Sequence, residues 1–111
     1  MKSVTVSDEN DNEFDVMIGT NAIDNWKIIS LASQNDIWFH IENQPSCHVI
    51  LCTNNEKISK RLITQCAVLC KENSKFKDYK KITVIYTEIK NIRNGKKEGE
   101  VYTKKLSKVI V

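Results

Sequence analysis

Two apolar, β-prone runs, Ile37–Glu42 and Cys47–Thr53, are separated by the short polar break Asn43–Ser46. A break of that length, with Pro45 inside it, reads as a β-hairpin with a proline-containing loop. That pairing constrains the rest of the chain more than any other feature, because the remaining apolar patterns fall in order around it.

Upstream, Val4 and Val6 alternate with polar residues, Ser7–Asn12 is a turn cluster, and Phe14, Val16 and Ile18 alternate again. This predicts a first hairpin ending at Gly19. Asn21–Asp24 offers helix-capping side chains, and Trp26–Ser33 places Trp26, Ile29 and Ala32 or Ser33 on one face of a short helix, broken at Asn35–Asp36. Downstream, Thr53 and Glu56 have capping-box spacing, and Lys57–Asn73 is the clearest helix, with Ile58, Leu62, Cys66 and Cys70 recurring at every fourth position. Ile82–Ile89 reads as a strand, Asn94–Gly95 as a turn, and Val101–Thr103 and Val109–Val111 as closing strands. The order ββα-ββα-βββ predicts one α+β domain over residues 1–111. Its mainly antiparallel sheet has about seven strands, with the helices packed on one face.

Composition agrees with a single core. The chain has 111 residues, 41% of them apolar and 28% charged. No apolar run approaches the roughly 20 residues that span a bilayer, and the start MKSVTVSDEN has no signal-peptide core. The expectation is a cytoplasmic protein with no membrane partner and with its four cysteines reduced. The net charge of +3 hides a polarity. Residues 1–56 carry two lysines against nine carboxylates, a net −7, whereas residues 75–111 carry eleven bases against four acids, a net +7. A basic half of this kind suits an anionic partner.

Candidate chemistry is sparse. The spacing C-x4-C-x13-C-x3-C does not match the tight pairs of metal sites, and Cys66 and Cys70 lie on the apolar helix face, so the thiols read as structural. His40 and His48 flank the hairpin loop. One register makes them cross-strand neighbours and a shift by one residue puts them on opposite faces; the sequence leaves both open. No glycine-rich phosphate loop, paired-carboxylate motif or nucleophile elbow is present. Neither an enzyme, a metal site nor a cofactor is expected. Alternation puts Trp38 and His40 on one face of their strand and Phe39 on the other, so one face is core and the other can offer a stacking platform. Arg93, Lys96, Lys97, Lys104 and Lys105 cluster around two glycines near the C-terminus, a candidate phosphate contact.

Read together, D-I-W-F-H, P-S-C-H-V-I-L, C-A-V-L-C-K-E-N-S and V-I-Y-T-E-I-K-N-I-R-N-G-K-K-E-G-E-V resemble the NFACT-R family. This is the RNA-binding domain of NFACT proteins of ribosome-associated quality control. It also occurs in stand-alone forms and in the coiled-coil-domain-containing protein 25 group. Gly19, Asn21 and Asn25 resemble the family's upstream segment, while Thr20, Ser46 with Cys47, and Glu98 depart from its usual residues. Asp36, Trp38, His40, Pro45 and His48 match its signature. The resemblance implies a non-catalytic module binding RNA (tRNA or rRNA), with Trp38, His40, Pro45, Ser46 and His48 as candidate contacts and the basic C-terminal cluster for phosphates; the alternative for Trp38 and Phe39 is to fix the core, and for His40 and His48 to brace the loop. The competing reading is a protein-interaction adaptor that docks on a ribosome-associated partner, suggested by the acidic first half.

Overall fold

A computed structural model describes all residues, 1–111. The chain opens with an antiparallel hairpin of β1 (Lys2–Ser7) and β2 (Glu13–Ile18), which sets Val4 opposite Val16 and Val6 opposite Phe14. Its turn is held by the Asp8 carboxylate, which accepts from the backbone N–H groups of Asn10 and Asn12 at 2.9 Å each. Helix α1 (Ala22–Leu31) follows, then β3 (Ile37–Ile41), β4 (Val49–Leu51) and helix α2 (Lys60–Glu72). After α2 come β5 (Thr83–Glu88), a single 3-10 turn at Ile89–Asn91, β6 (Ile92–Asn94), β7 (Val101–Thr103) and β8 (Ser107–Ile110). Six strands form one antiparallel sheet in the order β1-β2-β4-β3-β5-β8, and β6 and β7 form a separate ribbon. The class is α+β, with eight strands rather than about seven because Ile92–Asn94 is a strand of its own.

The helices lie on opposite faces, not together. Helix α2 lays Leu62, Cys66, Ala67 and Cys70 against Phe14, Val16, Phe39, Ile41, Val49 and Leu51. The far face carries Trp38 and Ile50, covered by Ile28 of α1, by Ile89, and by Ile92 and Val101 of the ribbon. The physical reason is visible in β3 and β4. Their sequences IWFHI and VIL do not alternate apolar with polar, so both of their faces require cover.

Two element boundaries also move. Helix α2 starts later than the capping-box spacing implied: its cap is Ser59, whose hydroxyl accepts from the Leu62 N–H at 3.3 Å. Thr53 instead binds Asp36, whose carboxylate accepts from the Thr53 N–H at 2.9 Å and from the Ser33 N–H at 2.8 Å. One buried carboxylate thus ties the end of α1 to the exit of β4. Helix α1 is capped as expected, with the Asn21 side chain accepting from Asp24 N–H at 2.8 Å, but its buried line is Asn25 and Ile28 rather than Trp26 and Ile29. No helix is long and apolar enough to cross a membrane.

The acids Asp8 to Asp15 sit at the β1–β2 edge, while the basic half is spread over the α2–β5 connection, the β6–β7 ribbon with its flanking loops, and β8.

Candidate nucleic-acid interface

The register of the central hairpin pairs Trp38 with Ile50 and Phe39 with Val49, and continuing it places His40 opposite His48. The two imidazoles meet edge to face with centroids 4.9 Å apart. The Trp38 ring lies parallel to His40 and edge-on to His48, each at 5.5 Å. The bonding fixes the tautomers. Trp38 Nε1–H can only donate, and it donates to His48 Nδ1 at 3.1 Å, so the His48 proton sits on Nε2. His40 Nδ1 lies 2.6 Å from the Ile41 carbonyl oxygen, which can only accept, so His40 Nδ1 carries the proton and its Nε2 is an acceptor. Burial, with the neighbouring His40 adding to it, pushes His48 down to about 3. Burial lowers His40 as well. Both rings are therefore neutral near pH 7.

His48 is also a backbone anchor. Its N–H donates to Asn25 Oδ1 at 3.2 Å, and its carbonyl accepts from the Gly19 N–H at 2.9 Å. Glycine is required at 19 because a Cβ there would lie 2.1 Å from Asn25 Oδ1. The hairpin loop is closed by Ser46, whose hydroxyl accepts from the Ile41 N–H at 3.1 Å and donates to the Cys47 carbonyl at 3.0 Å. Cys47 and Cys70 exchange reciprocal thiol-to-carbonyl contacts at 3.6 and 3.8 Å, joining the loop to α2. Burial drives the Cys66 thiol up to about 12, so it is an inert core group.

A third segment completes the site. The β6–β7 loop folds back on itself through Gly95 N–H to Glu100 O at 2.7 Å and Glu100 N–H to Lys97 O at 3.0 Å. Trp26 Nε1 donates to the Glu100 carbonyl at 2.8 Å. Gly99 has φ +81°, and a Cβ there would come within 2.9 Å of Ala22 Cα, so its glycine lets the loop rest on the start of α1.

The hairpin loop, the start of α1 and this returning loop surround an open cleft of about 1050 Å³. Carboxamides dominate its walls: Asn21, Asn25, Asn43, Gln44 and Asn73. Its ionic groups balance, Lys2 and Lys97 against Glu98 and Glu100. Of the residues the sequence singled out, His40, Pro45, Ser46, His48 and Lys97 line this cleft. Trp38 does not. It is 2% exposed, so it supports the histidines from beneath and offers no face for stacking. His48 is as deeply buried, and its ring braces the wall. Among the basic candidates, Arg93 and Lys104 line a separate concavity on the ribbon and Lys105 a third one, while Lys96 is exposed outside all three. The sequence reading missed Lys2, Asn43, Gln44 and Asn73. They are scattered polar residues that become neighbours only on folding, whereas Gly19, Asn21 and Asn25 already stood in the family-like segment. No three His, Cys, Asp or Glu side chains gather to hold a metal ion.

An antiparallel sheet covered by one helix on each face, with an open polar cleft, defines a small α+β domain. The model of the NFACT protein RNA binding domain matches residues 3–104, and the chain belongs to that family. Coiled-coil domain-containing protein 25 of Bos taurus is 30% identical over 94 residues, covering 80% of this chain and 45% of that protein. The Rqc2 homolog RqcH of Bacillus subtilis is 29% identical over 89 residues, 78% of this chain but 15% of that protein. The chain therefore spans under half the length of these relatives. The C-terminal part of the fibronectin/fibrinogen-binding protein from Streptococcus suis shares the fold, with a TM-score of 0.85 at 23% identity over 96% of this chain and 44% of that one.

Proposed function

We propose that this domain binds RNA, tRNA or rRNA, as a non-catalytic module of translation quality control in the cytoplasm. The family match over residues 3–104 carries the reading. The structure supports it in two ways. The cleft offers neutral donors and acceptors suited to base edges and sugars, and the ribbon concavity is lined by Lys90, Arg93 and Lys104 with no carboxylate. His40, Pro45 and Ser46 are the hairpin groups placed to touch a ligand, with Lys96, Lys97, Arg93, Lys104 and Lys105 as the phosphate contacts.

The test is binding of single-stranded RNA and of tRNA by the purified domain across a salt series. Affinity should fall linearly on a log–log plot as salt rises. Undetectable binding at low salt, or binding with no salt dependence, refutes the reading. Charge reversal at Lys96 and Lys97 should weaken binding across all sequences.

A second reading, an adaptor for a ribosome-associated protein, is favoured by Ile23 and Leu31, which stand 66% and 58% exposed on α1. Capture of ribosome-associated proteins that survives nuclease treatment, and is lost in Ile23→Asp, would select it.

A further inference from the structure

The β6–β7 ribbon presents a surface that differs from the cleft. Its register pairs Arg93 with Tyr102. Alternation sends Ile92 and Val101 inward, where they pack on the cluster around Trp38 and Ile28. Arg93 and Tyr102 therefore face out from a ribbon that is anchored, not loose. The Arg93 guanidinium sits 5.3 Å from the centre of the Tyr102 ring, which is 42% exposed. A shallow concavity of about 380 Å³ surrounds the pair, and its rim includes Lys90 and Lys104. That volume falls within the roughly 300–1,000 Å³ typical of small-ligand sites. Its lining holds three cationic side chains and no carboxylate. Lys90 lies 3.6 Å from Glu88, whereas Arg93 and Lys104 form no ion pair.

We propose that the outer face of this ribbon is a nucleobase-stacking subsite for single-stranded RNA, in which Tyr102 and Arg93 take one unpaired base and Lys104, with Lys90, takes the adjoining phosphates. The inference rests on the RNA-binding reading and assigns a mode and a place to it. The cation over the ring holds the phenol in one orientation, so less side-chain entropy is lost when a base stacks on it. Cations flanking an aromatic face, with no carboxylate in the lining, match a ligand that carries a π surface and a phosphate on each unit of one chain. A paired base cannot use the site because its faces are already stacked in the duplex. The loop of the same hairpin lines the cleft, so one strand lying along the hairpin can reach both.

The experiment measures binding of the whole chain, by fluorescence anisotropy at low salt, to a short single-stranded oligouridine, an abasic strand of the same length and a duplex. Tyr102→Ala should weaken oligouridine binding about fivefold or more. It should leave the abasic strand and the duplex unchanged. Tyr102→Leu, which keeps bulk but has no π face, should show the same loss, and Tyr102→Trp should retain affinity. Thermal melts check that each variant is folded, and the leucine variant carries the test if alanine loosens the ribbon. Equal losses on the oligouridine and abasic strands overturn the stacking role, as does wild-type affinity in both Tyr102→Ala and Tyr102→Leu. An acidic peptide that displaces the oligouridine from wild type and from Tyr102→Ala equally well also overturns it, because charge alone would then explain the site. If wild type binds no RNA of any kind, the broader reading and the subsite fall together; if wild type binds and the Tyr102 variants match it, only the subsite falls.

Discussion

The cleft and the flank of the ribbon share the β6–β7 hairpin, yet they are opposites in chemistry. The cleft sets carboxamides and neutral imidazole around lysines that are matched by glutamates. The ribbon sets Arg93, Lys90 and Lys104 around Tyr102 with no acid in the lining. Phosphate contacts give affinity that is indifferent to sequence, while base-edge contacts give selectivity. Under the RNA-binding proposal, the ribbon would hold a strand and the cleft would inspect it. The two regions also differ in how they are built. The cleft wall grows out of the core through Trp38 and His48, whereas the ribbon's outward pair lies on the face opposite Ile92 and Val101, which pack on the core.

The difference in construction can be broken most severely at Trp38. Trp38→Ala removes a ring that is 2% exposed and packs on Ile28, Ile50 and both histidines. It should cost about 3–5 kcal/mol of stability, read as a lowered denaturation midpoint. Tyr102→Ala should leave that midpoint nearly unchanged. Comparable losses from the two would mean that the ribbon is as integral to the core as the cleft.

Acid should separate the regions next. The unfolded chain takes a proton on His48 near pH 6.5, but the folded chain resists it down to about 3. Between those values the unfolded state binds more protons, so stability is fully present above pH 6.5 and drains away as pH falls toward 3. The full effect is on the order of 3–5 kcal/mol, with the lowered His40 working in the same direction. His48→Gln, which keeps a side-chain acceptor, should flatten the dependence across this window in pH-dependent denaturation. A slope unchanged from wild type would show that His48 is not the buried neutral group.

Much of this construction could be read in the sequence, and the exceptions have physical causes. The central hairpin, the Asn21 cap and the apolar line of α2 were legible because each is a local pattern. The side on which α1 packs was not, because a ββα repeat suggests one covered face; the unbroken apolar runs of β3 and β4 were the signal against it. The seam of α1 was misplaced since Asn25 looks like a surface residue. Its burial is explained only by its bond to the His48 N–H across the cleft. The histidine pairing needed a register that the loop length alone does not set. The balance of charge in the cleft needed the return of Lys97–Glu100 to the start of α1, a contact made through Gly99 and Ala22.

The bond that hid Asn25 gives a smaller effect. Gly19→Ala drives a Cβ to within 2.1 Å of Asn25 Oδ1, and must either displace that carboxamide or shift the strand exit. A loss of about 1–3 kcal/mol is expected. Hydrogen exchange at the His48 amide, which loses its acceptor, should accelerate more than exchange in β1. Uniform acceleration across the sheet would mean that Gly19 serves the backbone and not the brace.

The finest test weighs the lysines of the two regions against one another. Lys97 shares its loop with Glu98 and Glu100, which offset its field, whereas Arg93 and Lys104 have no such neighbours in their concavity. Neutralising Arg93 and Lys104 to glutamine should lower the salt slope of single-stranded RNA binding by about 2, one for each lost phosphate contact. Neutralising Lys96 and Lys97 should lower it by about 1 or less, because a cation already balanced by adjacent carboxylates displaces fewer counterions from RNA. Both effects are read from the same salt series, and neither side chain pair is buried, so stability should not confound them. The reverse order, with the larger slope change at Lys96 and Lys97, would move the phosphate contacts to the tip of the hairpin. The ribbon flank would then have Tyr102 without the charges that make it a nucleic-acid surface.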